Sequence, residues 1–331
     1  MNAGLAAIAL AACACVASAQ GVEPAGHAEC VQLLGGDEGQ PSLRDALIRN
    51  LAAPSLAAAK AAHVRRTSEL TLAALSGAGA PDIERLCAVI VPERVRQPGL
   101  LTGYYRPVVP ARRSRDDEFR HPLHALPPQN LRTLSRAEID AGGLDGKVPV
   151  VAWLADPVEA FFVHIQGSAV LALPDGHMTV GFAGSNGRPY TSIGALLIDE
   201  GLMRREDVTM PSLKDYLRDH ASDRDRILRA NERYIYFQQV PNEATGSMGV
   251  PLTDGRSVAA DPDVYPPGTL LFVRTADSTV GVTSRLVVVQ DRGSAIVGEG
   301  RLDLYLGTGP EAGAVAGGLR QPVEIFVLRA K

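Results

Sequence analysis

The chain has 331 residues, 46% of them apolar, and its 37 acidic and 33 basic residues give a formal net charge of −4 at pH 7. This length exceeds the usual size of one domain and can bury a substantial core, so it predicts two domains. The composition is that of an ordinary globular protein without the basic patches of a nucleic-acid-binding protein, so we expect no nucleic-acid partner.

An apolar segment rich in small residues opens the chain and predicts export. Residues 4–16 fit the hydrophobic region of a signal peptide, and Ala17-Ser18-Ala19 fits a cleavage site before Gln20. We therefore expect a signal peptide over residues 1–19 and a periplasmic protein. Leu10 to Cys13 also fits a bacterial lipobox, so the alternative is an outer-membrane lipoprotein anchored through Cys13.

Cleavage after Ala19 leaves two cysteines, Cys30 and Cys87. An even pair in an exported chain predicts a disulfide, and two buried free thiols are the alternative. Neither cysteine has the neighbours of a metal site, and the seven histidines show no HExxH or clustered spacing. We expect no metal and no other cofactor.

Residues 21–100 have a helical, alanine-rich pattern with apolar-periodic stretches that begin at Asp45 and at Pro81. They contain no catalytic constellation, so we interpret them as packing elements. The pattern changes at Tyr104 and Tyr105, which stand between a glycine and a proline. Tandem tyrosines fit a core, but their flat apolar faces and polar tips also suit stacking on sugars.

The central part of the chain predicts a loop over residues 107–130 and then a capping-box helix that starts at Ser135. Val148 to Leu154 and Ala160 to Ile165 are strand candidates. The second is followed by small and polar residues that would form a simple turn or place donors at a sheet edge: Gln166, Gly167 and Ser168.

A further strand, Met178 to Phe182, leads into a segment rich in glycine and hydroxyl groups. The segment lacks the spacing of a phosphate-binding loop, so it favours a neutral polar ligand over a nucleotide. Its candidate ligand-binding residues are Asn186, Gly187, Tyr190 and Ser192. Short helices predicted from Ser212 and from Asp223 follow.

The C-terminal third alternates short strands with Gly/Pro turns and one helix, Pro310 to Leu319, which predicts a small barrel. One strand of it delivers Asp291 to a glycine turn, and the next carries Asp303. Strand alternation places Leu302, Leu304 and Leu306 on one face and Asp303 on the other with Arg301 and Tyr305. Aspartate is depleted in strands, so Asp303 is either solvated or functional.

These residues resemble the membrane-bound lytic transglycosylase A (MltA) family of peptidoglycan-cleaving enzymes over about residues 100–322. The resemblance is carried, in order, by Leu101-Thr102-Gly103-Tyr104-Tyr105, Ser135-Arg136-Ala137-Glu138-Ile139-Asp140, Phe161-Phe162 through Gln166-Gly167-Ser168, Asn186-Gly187-Arg188-Pro189-Tyr190, Gly249-Val250-Pro251-Leu252, Ala260-Asp261-Pro262, Pro266-Pro267-Gly268, Gln290-Asp291, Asp303 and Gly307-Thr308-Gly309-Pro310-Glu311-Ala312-Gly313.

The resemblance implies a mainly β fold with flanking α-helices, in which a double-psi β-barrel and an inserted β-rich domain form a glycan-binding groove. The expected division is a signal peptide over 1–19, an N-terminal helical part of the barrel domain over 20–104, an inserted substrate-binding domain over 105–238 and the catalytic part of the barrel over 239–331. The implied partner is the glycan strand of peptidoglycan, and we expect a monomer that associates with the outer membrane if it is lipidated.

The resemblance also implies a cluster of three aspartates, with Asp303 as the single catalytic acid/base and Asp261 and Asp291 as supporting residues. The chain departs from the family at Arg106, where an acidic residue is typical, and at Gly293-Ser294, where Gly-Gly is usual. The departure at Arg106 leaves the charge of a subsite and the substrate preference open. Two other functions stay open: a two-aspartate glycan hydrolase on the same barrel, and a non-catalytic glycan-binding module.

Overall fold

The computed structural model describes residues 23–24, 26–37, 41–58, 61–75, 82–275 and 284–331. The expected signal peptide, the lipobox with Cys13, and Pro81 lie outside the described residues. Within the described ranges, no helix combines the length and the apolar character that crossing a membrane requires.

Fourteen strands occur in the described part of the chain: β1 Glu23–Pro24, β2 Ile90–Arg94, β3 Gly99–Arg106, β4 Val108–Arg112, β5 His121–His124, β6 Val150–Leu154, β7 Ser168–Leu173, β8 Gly176–Ser185, β9 Ile235–Gln239, β10 Ser257–Ala259, β11 Leu270–Thr275, β12 Arg285–Asp291, β13 Arg301–Thr308 and β14 Arg320–Ala330. The α-helices there are α1 His27–Leu34, α2 Pro41–Ala52, α3 Ala62–Ala73, α4 Ile83–Val89, α5 Arg136–Asp140, α6 Pro157–Gln166, α7 Ile193–Asp199, α8 Met210–Asp219, α9 Ala221–Ala230 and α10 Pro310–Gly318.

Six strands close into a barrel in the order β14-β11-β12-β10-β13-β3, with β3 pairing back onto β14. The pairs β10/β12 and β13/β3 are parallel and the other pairs of the barrel are antiparallel. Strand alternation separates the two faces of the barrel wall. In β11, Leu271 and Val273 fill the interior, whereas Leu270 and Phe272 face outward.

The N-terminal helices cover that outward face. Helices α1, α2 and α4 contribute to one apolar cluster with Phe272, Val288 and Phe326 of the barrel. A disulfide joins Cys30 of α1 to Cys87 of α4. The helical pattern expected for residues 21–100 ends early, because Ile90–Arg94 forms β2 on the edge of β14.

The second sheet has six strands in the order β5-β6-β4-β7-β8-β9. Its core joins strand residues such as Leu171 and Phe237 to Val163 of α6, and a second cluster packs α6 against α7, α8 and α9. Together with the closed barrel, this sheet confirms the predicted fold class of a mainly β protein with flanking helices.

Three sequence predictions for this part of the chain are wrong. The loop predicted over residues 107–130 contains the strands β4 and β5. The run Ala160 to Ile165, predicted as a strand, lies in α6, because Asp156 caps the helix, Pro157 occupies its first turn and Gly167 ends it at a φ of 77°. The helix predicted to start at Ser212 starts at Met210 instead. Thr209 is its N-cap, and Ser212 completes the capping box from the third position.

Candidate active site

The pairing of β13 with β3 places Asp303 opposite Thr102, although some 200 residues separate them in the chain. The Thr102 hydroxyl donates a hydrogen bond of 2.5 Å to Oδ1 of Asp303. Two positions further on, Tyr305 pairs with Tyr104, and their rings lie 5.3 Å apart. Thr102 and Tyr104 therefore share the face of β3 that meets the carboxyl group of Asp303.

Asp291 lies at the end of β12 and accepts three hydrogen bonds. The Tyr104 hydroxyl donates to Oδ2 at 2.9 Å. The backbone N–H groups of Ser247 and Arg292 both donate to Oδ1 at 2.9 Å. Tyr104 therefore connects Asp291 with Asp303. Its hydroxyl is hydrogen-bonded to Asp291, and Thr102, which is hydrogen-bonded to Asp303, lies two residues before it in β3.

Burial is the main influence on the ionisation of Asp303. Desolvation raises the pKa of Asp303 to about 6, and the nearby charge of Asp291 acts in the same direction. The hydrogen bond from Thr102 and the positive charge of Arg301 oppose the rise. Asp303 can therefore be populated both as an acid and as a base near neutral pH, which is what general acid/base catalysis requires.

Asp291 and Tyr104 respond to the same environment. Burial raises the pKa of Asp291, and its hydrogen bonds from Arg292, Ser247 and Tyr104 oppose that rise. Burial also raises the pKa of Tyr104 well above its ordinary value, reinforced by the charge of Asp291. Tyr104 therefore stays a neutral donor, and Asp291 is held as an acceptor.

The structure gives Asp261 a different position from the other two aspartates. The backbone around it is close to the site, since the N–H of Ala260 donates to the carbonyl of Asp291. Its carboxylate, however, accepts from the backbone N–H groups of Gly298, at 2.7 Å, and Asp263, at 3.0 Å. The charges that act on Asp303 come from Asp291 and Arg301. Asp261 therefore fixes the loop that precedes β13.

The second sheet supplies the opposite wall of a groove over Asp303. Burial raises the pKa of Tyr190, and the charge of Asp303 adds to this effect, which places the phenol near the acid. Ser192 hydrogen-bonds Tyr190 and also caps α7 by accepting from the N–H of Ala195. A cavity of about 220 Å³ lies between Thr102 on the barrel and Tyr190 and Ser192 on the other side.

Several residues that were predicted to bind a ligand make contacts between the elements that surround the groove. Tyr105 is buried against α10, where a Cβ atom on Gly313 would lie 2.7 Å from its ring. Its backbone N–H donates to the side-chain oxygen of Gln166 at 3.2 Å, which connects β3 to α6. Gly167 ends α6 and Ser168 begins β7.

Asn186 is also an anchor. Its amide nitrogen donates to the carbonyls of Leu134 and Glu232, and its oxygen accepts from the N–H groups of Arg188 and Tyr234. These contacts use both ends of a buried side chain, so Asn186 fixes the segment that leads to Tyr190. Gly187 follows with a φ of 73°, a conformation that favours glycine.

Arg106, at the first departure from the family, has a buried side chain that donates to the hydroxyl of Thr308 at 3.0 Å and to the carbonyl of Asn242 at 2.6 Å. It therefore joins the end of β3 to the segment that returns from β9. No sequence pattern singled out Thr102 or Ser247 as a site residue. Thr102 was open to detection, because strand alternation puts it on the same face as Tyr104.

The described residues contain no group of three or more His, Cys, Asp or Glu side chains that could hold a metal ion. The groups that can take part in a reaction are carboxyl groups in a groove between a closed barrel and a second sheet. Such a site defines a class of protein: an acid/base enzyme that acts on an extended ligand.

Comparisons with known proteins agree with this class. The MltA specific insert domain matches residues 100–238, and the 3D domain matches residues 256–329. The chain belongs to the MltA family. Membrane-bound lytic murein transglycosylase A of Escherichia coli is 37% identical over 238 residues, which cover 69% of this chain and 65% of the relative. The Vibrio cholerae protein of the same name is 36% identical, with 66% of this chain and 62% of the relative covered.

Solved structures extend the likeness to nearly the whole chain. The membrane-bound lytic murein transglycosylase of Agrobacterium tumefaciens superimposes with a TM-score of 0.82 at 27% identity, covering 93% of this chain and 97% of the other. E. coli MltA with bound chitohexaose superimposes with a TM-score of 0.77 at 28% identity, covering 89% and 91%.

Proposed function

We propose that this protein is a peptidoglycan lytic transglycosylase. It cleaves the β-1,4 bond between N-acetylmuramic acid and N-acetylglucosamine and leaves 1,6-anhydromuramoyl ends. The observation that carries the proposal is the burial of Asp303 in a groove, which raises the pKa of this carboxyl group to about 6. The names of the relatives and the chitohexaose bound to E. coli MltA support the same reaction and a glycan ligand.

In the proposed mechanism, Asp303 acts twice. It first donates its proton to the glycosidic oxygen as the bond to the muramic acid breaks. It then takes the proton of the C6 hydroxyl of that same sugar, whose oxygen closes the 1,6-anhydro ring. One carboxyl group suffices because the nucleophile is intramolecular and has a high effective concentration.

The contacts of the other aspartates favour this mechanism over an inverting hydrolase. An inverting hydrolase needs a second carboxylate about 6.5–9.5 Å from the acid with room for a water between them. Both oxygens of Asp291 already accept hydrogen bonds from Tyr104, Ser247 and Arg292. Both oxygens of Asp261 accept from backbone N–H groups. We propose that both residues support the site and that neither activates water.

A non-catalytic glycan-binding module is the other alternative. Binding a neutral sugar does not require a desolvated acid, and placing one in a groove carries a free-energy cost. The raised pKa of Asp303 therefore favours an enzyme. In this proposal Tyr104, Tyr190 and Ser192 contact the glycan, while Tyr105, Gln166, Gly167, Ser168, Asn186 and Gly187 shape the groove.

We further propose that residues 1–19 are a signal peptide and that the mature protein acts as a monomer in the periplasm. The relatives carry names that describe them as membrane-bound, which supports the alternative of an outer-membrane lipoprotein anchored through Cys13. The proposed division of the chain remains 20–104, 105–238 and 239–331, with the middle part as the inserted domain.

Mass spectrometry of the muropeptides released from purified peptidoglycan tests the reaction. We expect the protein without residues 1–19 to release products about 18 Da lighter than hydrolytic ones, because the intramolecular oxygen replaces water. Asp303→Asn should release none, since the amide cannot donate or accept the proton.

Asp263→Asn is the matched control, because it makes the same change at a nearby exposed carboxylate. It should release the same products as the unmodified protein. Reducing-end products would show a hydrolase. Binding to peptidoglycan without release by the unmodified protein would show a binding module.

A further inference from the structure

A second cavity, of about 430 Å³, lies beside the groove. Its walls include Arg205, Arg320 and Glu206. It shares Val208, Thr209, Gly317 and Arg320 with the cavity that reaches Thr102, so the two form a continuous depression. A ligand bound over Asp303 therefore has access to this second cavity.

The strand register places Arg320 on the same face of the barrel as the catalytic acid. Arg320 of β14 pairs with Thr102 of β3, and Thr102 pairs with Asp303 of β13. Paired residues on neighbouring strands point to the same face, and neighbouring strands are about 4.8 Å apart. Arg320 and Asp303 therefore lie on the same face of the barrel wall, two strands and about 10 Å apart.

The cavity has an excess of positive charge. In the described part of the chain, neither Arg205 nor Arg320 forms an ion pair, while Glu206 lies 3.7 Å from Arg204. Arg301, next to Asp303, donates only to the backbone carbonyls of Leu100 and Leu302. Burial and the charge of Arg320 lower the pKa of Arg301, whereas the charge of Asp303 raises it. A bound anion would balance the charges of Arg205 and Arg320.

We propose that the cavity lined by Arg205 and Arg320 binds a carboxylate of the peptide that peptidoglycan carries on its muramic acid residues. This inference rests on the proposed function. The sugars of the strand are neutral at this position, whereas the attached peptide supplies free carboxylates. Arginine pairs with carboxylates through strong, charge-assisted hydrogen bonds. Such binding would make the enzyme prefer strands that still carry their peptides.

The test compares three substrates: strands with their peptides, strands stripped of peptides by an amidase, and strands whose peptide carboxylates have been converted to amides. In the unmodified protein, kcat/KM should be higher for peptide-bearing strands than for stripped ones, and the amidated strands should behave like the stripped ones. Arg320→Gln should lower the ratio of peptide-bearing to stripped kcat/KM about tenfold, and Arg205→Gln should lower it by a smaller factor.

Arg229→Gln is the matched control, because Arg229 is an exposed arginine that pairs with Asp140 and lines neither cavity. It should leave the ratio as it is in the unmodified protein. A ratio unchanged by Arg320→Gln, or amidated strands cleaved as fast as the free acids, would overturn the proposal. If Arg320→Gln does not fold, Arg205→Gln decides, since it changes an exposed side chain on a short helical turn. Failure of the proposed function is distinct: the unmodified protein would then release no anhydro products from any of the three substrates.

Discussion

The hydrogen bond from Thr102 lowers the pH at which Asp303 changes its protonation state. The bond favours the ionised carboxylate and lowers the pKa of Asp303, against the larger effect of burial. Removing the hydroxyl in Thr102→Val should therefore raise the pKa of Asp303 above its value of about 6. The first step needs the protonated acid, so kcat/KM falls as pH rises through this pKa. We expect the alkaline limb of the pH profile to move up by about one pH unit, equivalent to about 1.4 kcal/mol.

Thr102→Ser controls for this change because it keeps the hydroxyl donor. Its alkaline limb should coincide with that of the unmodified protein when kcat/KM on isolated glycan strands is followed between pH 4 and 9. A limb that stays in place in Thr102→Val, or moves to lower pH, would show that the bond does not govern the ionisation of Asp303.

Single residues differ in how much the sequence reveals about them. Asp303 stands out because aspartate is uncommon in a strand whose other face is apolar, but this pattern alone leaves it either solvated or functional. Tyr104 contacts Asp291, whereas Tyr105 packs under α10. To predict this difference, one must know which face of the strand each tyrosine occupies, and the residues before Pro107 do not define it. Asn186 looked like a ligand-binding residue, but only the folded chain brings four backbone partners to its side chain.

The packing of α10 on β3 depends on the absence of a side chain at Gly103. A Cβ atom there would lie 2.6 Å from Cδ1 of Leu306 and 3.0 Å from the Cα of Ala316 in α10. Gly103→Ala should therefore displace the helix and lower the free energy of unfolding by about 1–3 kcal/mol, as overpacking usually does. Activity should also fall, since Gly103 follows Thr102 directly in the chain.

Urea unfolding followed by circular dichroism measures this change. Gly36→Ala is the matched control, because a Cβ atom at Gly36 would make only an ordinary contact, 3.7 Å from the carbonyl oxygen of Leu33. We expect its unfolding midpoint to stay within error of the unmodified protein. Equal midpoints for both variants would show that α10 accommodates the extra methyl group.

Whether a segment is a helix or a strand is predicted best where residues that typically begin or end such an element flank its apolar pattern. The apolar run in α6 fits a strand or a helix by length alone, but Asp156 and Pro157 before it and Gly167 after it are helix signals. The segment that became β2 follows α4 without a break, and only the β-branched run Val89-Ile90-Val91 and Pro92 mark the change to a strand. The C-terminal strands were easier, because turns rich in glycine and proline separate them.

The closure of the barrel and the position of the groove are properties of the whole molecule. The pairing of β3 with β13 joins residues about 200 positions apart, and no local pattern specifies the partner or the register of such a pair. The resemblance to a family supplied this information, whereas alternation and turn chemistry supplied only the separate strands. The Arg205 and Arg320 cavity was equally hidden, because it forms between α10 and the segment before α8.

The chain crosses between the barrel and the second sheet twice, from β3 to β4 and from β9 to β10, and Arg106 connects these two crossings. It stands at the end of β3, just before β4, and binds both Thr308 of β13 and the carbonyl of Asn242 after β9. Because it is buried, Arg106→Gln should lose charge-assisted hydrogen bonds that contribute about 1.5–3 kcal/mol. We expect looser packing between the barrel and the second sheet and a lower kcat/KM on glycan strands.

The alkaline limb should stay in place in Arg106→Gln, because the charges that act on Asp303 are those of Arg301 and Asp291. Hydrogen exchange should increase in the backbone around residues 107–108 and 240–245. The control is Arg113→Gln, since Arg113 is an exposed arginine near β4 that leaves both crossings intact. Reduced activity without faster exchange, or with a displaced alkaline limb, would mean that Arg106 acts on the acid and not on the relative position of the two sheets.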